Sequence, residues 1–237
     1  IENEKSNADG IAVLGNGPVV MGGTAWLFAR PELQGQFDYL FIDEAGQFSL
    51  ANTVAVGLST NNLVLVGDQM QLAQPIQGTH PGDSGQSALN YLLAGHDTIP
   101  PEMGIFLDRT WRLHPDICRF ISDAVYEGRL QSHPRTADQR IGTNDGLISK
   151  QAGIAFVPVE HEGNSQGCDE EVAVIADIVE ELVGCRFWDA EHSKLGSLTL
   201  EDILIVAPFN MQVRLLSKRL GPNAKVGSVD KFQGQEA

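Results

Sequence analysis

Short apolar runs alternate with longer amphipathic stretches along most of the chain. Residues 19–24, 39–43 and 63–67 are brief, rich in β-branched and aromatic side chains, and read as buried strands. Between the last two, apolar positions over 48–58 recur at helical spacing. A Gly/Pro-rich passage over 75–104 interrupts the pattern, and a second series follows. In that series the sequence predicts strands at 105–107, 154–159, 203–207 and 225–229, and helices at 115–126, 170–183 and 211–220. Residues 131–150 and 161–169 read as polar surface loops, and no repeat of fixed period or low-complexity tract is present. Strand–helix alternation with continuously apolar strands predicts an α/β fold, its parallel sheets covered on both faces. Two such series predict two α/β lobes, 1–103 and 104–237, meeting near residue 104.

Composition narrows this only a little. With 237 residues and 42% hydrophobic content, the chain can fill real cores, and no apolar run approaches the roughly 18 residues of a membrane span. No signal peptide opens it, and Ile1 in place of Met suggests a processed product or an excised piece. Cys118, Cys168 and Cys185 are odd in number and lack C-x-x-C spacing, which favours a reducing cytoplasm over a disulfide or zinc scaffold. The net charge of −15 argues against a nucleic-acid partner, since phosphate binding relies on Lys and Arg. The distribution weakens that objection: residues 1–103 carry 2 basic and 11 acidic side chains, residues 104–237 carry 14 and 20. A local groove in the second half can still be positive.

The stretch "LFIDEAGQFSLAN" (40–52) sets Asp43 and Glu44 directly behind an apolar run. A surface turn would account for them by itself. Asp68, however, also follows an apolar strand, and one helical stretch lies between the two. A right-handed crossover then brings both strand ends to one sheet edge, where open parallel sheets bind ligands. Neighbouring side chains on extended backbone point in different directions. One of Asp43 and Glu44 can therefore hold Mg²⁺, usually through water, while the other orients or deprotonates an attacking water, the chemistry of a Walker-B element. In "LVLVGDQMQLAQP" (63–75), Gly67 permits a tight exit from the strand and Gln71 offers an amide that can reach a γ-phosphate.

The pairing of D-E-A-G (43–46) with G-D-Q-M-Q-L (67–72) resembles motifs II and III of superfamily 1 helicases, most closely the up-frameshift-like branch (superfamily 1B). "FLDRTWRLHPDICRFISDAVYEGRL" (106–130) resembles the motif IV region of that branch, "ILIVAPFNMQVRLLSKRL" (203–220) motif IVa, and "VGSVDKFQGQEA" (226–237) motif V. "VVMGGTAWLFAR" (19–30) is similar to the nucleic-acid-contacting segment before motif II. T-A-W-L-F-A-R and D-E-A-G-Q-F-S-L-A-N further resemble bacterial proteins that join such a helicase to a RecB-like nuclease. The likeness spans roughly residues 19–237, with the motifs in the correct order.

The resemblance implies two RecA-like parallel-sheet lobes of the P-loop NTPase type, each incomplete, using ATP and Mg²⁺. It implies that Asp43 binds Mg²⁺, that Glu44 is the catalytic carboxylate and that Gln71 senses the γ-phosphate. Arg112 then stabilises the transferring phosphoryl group from the second lobe, with Asp43 and Gln71 facing the same cleft. A planar, permanently charged guanidinium suits that task, although Arg112 also reads as a surface ion-pair residue. Asp68, Gly234 and Glu236 join the nucleotide-binding set, Gly234 for close backbone approach and Glu236 for the ribose. Thr24, Pro208, Phe209, Ser228 and Lys231 carry over as contacts to single-stranded nucleic acid, DNA in preference to RNA. Phe209 reads equally as a core residue. Trp26 and Trp111 read as packing residues, His80, His114 and His133 as structural, and Asp169–Glu171 as the charged first turn of a helix.

Two departures from the family stand out. The residues preceding the six lysines are Glu, Ser, Ser, Ser, Ala and Asp, so the G-x-x-x-x-G-K-[ST] phosphate cradle is absent. The chain also ends at motif V, before motif VI and its phosphate-contacting Arg. The expected function is part of an ATP-dependent 5′→3′ motor, inactive in this stretch alone, with a possible nuclease domain in the same parent chain. The alternative is a non-hydrolysing nucleic-acid-binding or scaffold module that retains the fold. A metal-dependent nuclease is a third reading, weakened by the lack of a spaced D…E-x-K set.

Overall fold

A computed structural model describes residues 14, 17–72, 78–143, 146–189 and 194–232. The chain divides into two compact units, Ile1–Phe106 and Leu107–Ala237. Both are mixed α/β with small sheets.

In the first unit, α1 (Ala25–Phe28) precedes β1 (Leu40–Ile42), α2 (Leu50–Gly57), β2 (Leu63–Leu65) and α3 (Ala88–Leu92). β1 and β2 pair in parallel with Leu40 opposite Leu63 and Ile42 opposite Leu65, so α2 is the crossover between them. Ser49 starts α2 by accepting from the Asn52 amide at 3.2 Å, and Ser87 starts α3 in the same way through Asn90 at 3.1 Å. Both satisfy amides that the first helical turn leaves without partners. Leu27, Phe28, Leu33, Leu40, Ile42 and Val56 bury together as the core of this unit.

The second unit opens with β3 (Arg109–Thr110), α4 (Pro115–Val125) and β4 (Gln131–Ser132), β3 and β4 pairing in parallel. β5 (Arg140–Ile141), β6 (Arg186–Asp189) and β7 (Lys194–Ser197) form an antiparallel sheet around α5 (Asp169–Leu182) in the chain order. β8 (Leu204–Val206), α6 (Asn210–Leu220) and β9 (Lys225–Gly227) repeat the parallel crossover of the first unit, and α7 (Val229–Phe232) follows. Val172 and Val179 of α5, Leu216 of α6, and Ile205 and Val226 of the strands form its core.

Several expected strands are not strands. Residues 18–24, 104–108 and 154–160 carry no ladder, and Val20, Ile105 and Phe156 are almost fully exposed. Strand propensity expresses fit to a paired, half-buried surface, and among the described residues no strand lies alongside these runs. Residues 131–150, expected as loop, contain β4 and β5, and the hairpin β6–β7 has no counterpart in the sequence reading. The parallel pairs are also not covered on both faces, because Phe41 is 67% exposed and Val206 49%. Trp26 does not pack: it is 87% exposed.

Candidate functional site

The turns that leave β1 and β2 are built against each other. Beyond the strands, the Ala45 amide donates to the Val66 carbonyl at 2.9 Å and the Val66 amide to the Ile42 carbonyl at 2.8 Å. The chain then turns at Glu44, whose φ of 51° lies in the left-handed region that non-glycine residues avoid. That turn aims the Glu44 amide at Asp43, whose Oδ1 accepts it at 2.9 Å. Both carboxylates are exposed. A β-carbon added at Gly67 would lie 2.6 Å from the Ala45 nitrogen, and one added at Gly46 would collide with the Asp68 carbonyl. Backbone meets backbone here, so neither neighbour can move aside as a flexible side chain would.

Gly46→Ala is accordingly expected to destabilise the first unit by about 1–3 kcal/mol, the usual cost of overpacking. The urea midpoint checks it, and a midpoint equal to that of the natural chain would show that the two turns are not in contact. Sequence reading assigned a tight exit to Gly67 alone. The need for Gly46 had no separate signal, because the residue it meets is 22 positions away.

Asp68 is half-buried, and its Oδ1 accepts from the Met70 amide at 2.9 Å. Gln69 is tied to the Asp97 carbonyl at 2.6 Å, which fixes the turn leading to the exposed Gln71. Asp43, Glu44, Asp68 and Gln71 therefore follow the C-terminal ends of a paired β1 and β2. The donor set is hard carboxylate oxygen in an exposed position, which fits Mg²⁺ with part of its water shell retained.

Arg112 lies in the second unit, just after β3, where its amide donates to Thr110 Oγ1 at 3.3 Å and its side chain is exposed. Trp111 beside it is 53% exposed and stacks on the His133 ring with centroids 3.7 Å apart. The Arg135 guanidinium sits 4.9 Å from the indole centroid. His133 also caps a short 3₁₀ turn, its Nδ1 accepting the Arg135 amide at 3.2 Å. Partial burial first, then the positive charges of Arg135 and Arg109, hold the His133 pKa below its ordinary value. The neutral ring thus contributes stability above the unfolded value of about 6.5, and that contribution is lost as pH falls through the folded value. A proton titration followed by NMR is expected to place the His133 midpoint below that of an exposed histidine; a midpoint at or above it would contradict the stacked, cation-flanked geometry.

Pro208, Phe209 and Ser228 follow paired strands, since Val206 lies opposite Gly227 and the Ala207 amide donates to the Gly227 carbonyl at 3.0 Å. Phe209 occupies the N-cap of α6 and is 48% exposed, so it is not a core residue. Lys231 is exposed over most of its length, but its Nζ donates to the Val226 carbonyl at 2.8 Å. The β8–β9 edge thus gathers Pro208, Phe209, Ser228 and Lys231, whereas Thr24 stands in the first unit at the exposed N-cap of α1. Gly234 and Glu236 lie outside the described residues.

A family profile described as an AAA domain matches residues 85–237. Over 217 residues the chain is 29% identical to the DNA-binding protein SMUBP-2 of Rattus norvegicus, covering 84% of this chain and 20% of that protein. It is 27% identical over 219 residues to the DNA polymerase alpha-associated DNA helicase A of Schizosaccharomyces pombe, covering 86% of this chain and 32% of the relative. It is 24% identical over 210 residues to the DNA replication ATP-dependent helicase/nuclease DNA2 of Gallus gallus, covering 86% and 19%. The chain spans about a fifth of the length of the curated SMUBP-2 relatives it matches. Among the described residues, no helix is long and apolar enough to cross a membrane.

Proposed function

The chain belongs to the AAA domain family, and from that premise we propose that it is part of an ATP-driven superfamily 1B motor that moves 5′→3′ along single-stranded nucleic acid. The observation that carries this reading is the shared edge after β1 and β2, where Asp43, Glu44, Asp68 and Gln71 follow two parallel strands joined by a helix. In this reading residues 1–103 and 104–237 are two RecA-like lobes. Asp43 holds Mg²⁺, Glu44 orients the attacking water, Gln71 senses the γ-phosphate, and Arg112 neutralises charge on the transferring phosphoryl group. Asp68, Gly234 and Glu236 complete the nucleotide set. Mg²⁺ would supply electrostatic stabilisation of the phosphate oxygens when bound.

Thr24, Pro208, Phe209, Ser228 and Lys231 contact the single strand, with Phe209 offering a stacking face that tolerates any base. DNA is the preferred substrate, in keeping with the names of the rat, fission-yeast and chicken relatives. The helicase/nuclease name of the chicken protein also supports a nuclease domain elsewhere in the same longer chain. One observation favours a second reading: no lysine follows a glycine, so a phosphate cradle is missing from these 237 residues, as a non-hydrolysing binding module would allow. ATP turnover by a longer natural chain carrying flanking sequence, with and without single strands, separates the two. Strand-stimulated hydrolysis supports the motor; nucleic-acid binding without hydrolysis overturns it in favour of the module.

A further inference from the structure

The loop before α5 and the first turn of that helix bring together three metal-ligating side chains of different chemistry. His161, Cys168 and Glu171 offer an imidazole nitrogen, a sulfur and a carboxylate oxygen that all lie within 4.8 Å of one another. Ligands of a tetrahedral zinc ion, bound at roughly 2.0–2.3 Å, stand roughly 3.3–3.8 Å apart. Modest movement of the exposed His161 is enough to close that gap. Cys168 is 5% exposed and Glu171 half-buried, so two of the three ligands are already fixed by the fold.

Their surroundings are those of an oriented site. The Gln212 side chain, 5% exposed, reaches from α6 to donate to Glu171 Oε2 at 3.1 Å, while its Oε1 accepts the Cys168 amide at 2.8 Å. This buried amide locks the carboxylate and the cysteine backbone together, as outer-shell partners of metal ligands do. The Glu171 amide and the Asn164 side-chain amide point at the Cys168 sulfur from 3.4 and 3.2 Å, and both can stabilise a thiolate. The Glu170 carboxylate, 3.4 Å from the same sulfur, supplies further negative charge. The positive end of the α5 dipole opposes a cation, but Asp169, Glu170 and Glu171 all lie in that first turn and outweigh it.

We propose that His161, Cys168 and Glu171 bind a single Zn²⁺ ion that pins the 161–168 loop to α5 and, through Gln212, to α6. Thiolate, imidazole and carboxylate together suit zinc and disfavour Mg²⁺ or Ca²⁺, which take oxygen ligands. Binding exchanges the Cys168 thiol proton for a Cys168 sulfur–metal bond and releases that proton to solvent, with no change of oxidation state. Affinity therefore falls as pH falls, because protons compete with the metal for its ligand atoms.

The test uses the full 237-residue chain with Co²⁺ as a spectroscopic stand-in and Zn²⁺ as competitor. Expected results are one equivalent of Co²⁺ with a thiolate charge-transfer band, its displacement by Zn²⁺, and a rise of Tm with free Zn²⁺ as native-state binding requires. Cys168→Ser keeps a good helix cap while removing the soft ligand, and should abolish the band. His161→Ala, at an exposed position, should keep the fold by circular dichroism and weaken Zn²⁺ binding by at least about 10–100-fold, the loss that outer-shell changes alone produce. Cys185→Ser should leave the band intact. A band that survives Cys168→Ser, wild-type affinity in His161→Ala, or no thiolate band in the natural chain would each overturn the proposal.

Discussion

Glu44→Gln in a longer chain that hydrolyses ATP is expected to lower strand-stimulated turnover by about 10²–10⁴-fold, the usual worth of a positioned general base, while nucleotide binding stays within a few-fold of the natural protein. The substitution preserves shape and removes the carboxylate proposed to orient or deprotonate water, which would be transition-state work. In the proposed motor metal attachment is assigned to Asp43, whose carboxylate accepts from the Glu44 backbone amide rather than contacting its side chain. The amide survives the substitution, so the Asp43 geometry does too. Measuring kcat beside nucleotide affinity checks both halves. Undiminished kcat would remove Glu44 from the chemistry, and a matching loss of nucleotide affinity would move it into the binding set.

The 237 residues by themselves are expected to turn over ATP at a rate indistinguishable from buffer, and to unwind no duplex. Phosphoryl transfer depends on positioned cations and backbone donors that neutralise developing charge. No glycine–lysine pair is present to supply the cradle lysine, so Mg²⁺ on Asp43, the Glu44 carboxylate and Arg112 would have to act without it. Loss of one preorganised donor costs about 10²–10³ in rate, and here several are missing together. Weak, strongly salt-sensitive binding of single strands is compatible with that inactivity, because the proposed contacts Thr24, Phe209, Ser228 and Lys231 do not depend on the cradle. Turnover assays on this chain beside a longer natural chain decide the matter. Equal, strand-stimulated rates in both would mean that the active site has been assigned to the wrong residues.

Local periodicity was enough to locate the elements that carry their own signal. α2, α4, α5 and α6 fall where apolar positions recur at helical spacing. β1, β2, β8 and β9 coincide with the apolar runs that flank a helix, because a parallel pair needs such a crossover. The acids Asp43 and Asp68 were likewise legible, since a carboxylate just past an apolar strand is a local pattern.

What the sequence could not decide was which apolar runs find a partner. The runs at 105–107 and 154–159 have the composition of strands, yet a ladder requires a neighbour, and neighbours are a property of the assembled chain. Trp111 and Trp26 show the same limit for side chains. Both are large and apolar, but Trp26 is left exposed while Trp111 finds the His133 ring, 22 residues on. Close approach is also invisible along the chain: Gly46 is required because the Asp68 carbonyl is folded onto it, and Gln212 becomes a lock because it meets Cys168 across 44 residues. Periodicity and strand-end chemistry by themselves determined the alternating α/β order and the acids that end its first two strands. Tertiary structure alone decided the pairing of strands, the fit of glycines against carbonyls, and the convergence of His161, Cys168 and Glu171, because contact energies act between residues that the linear order keeps apart.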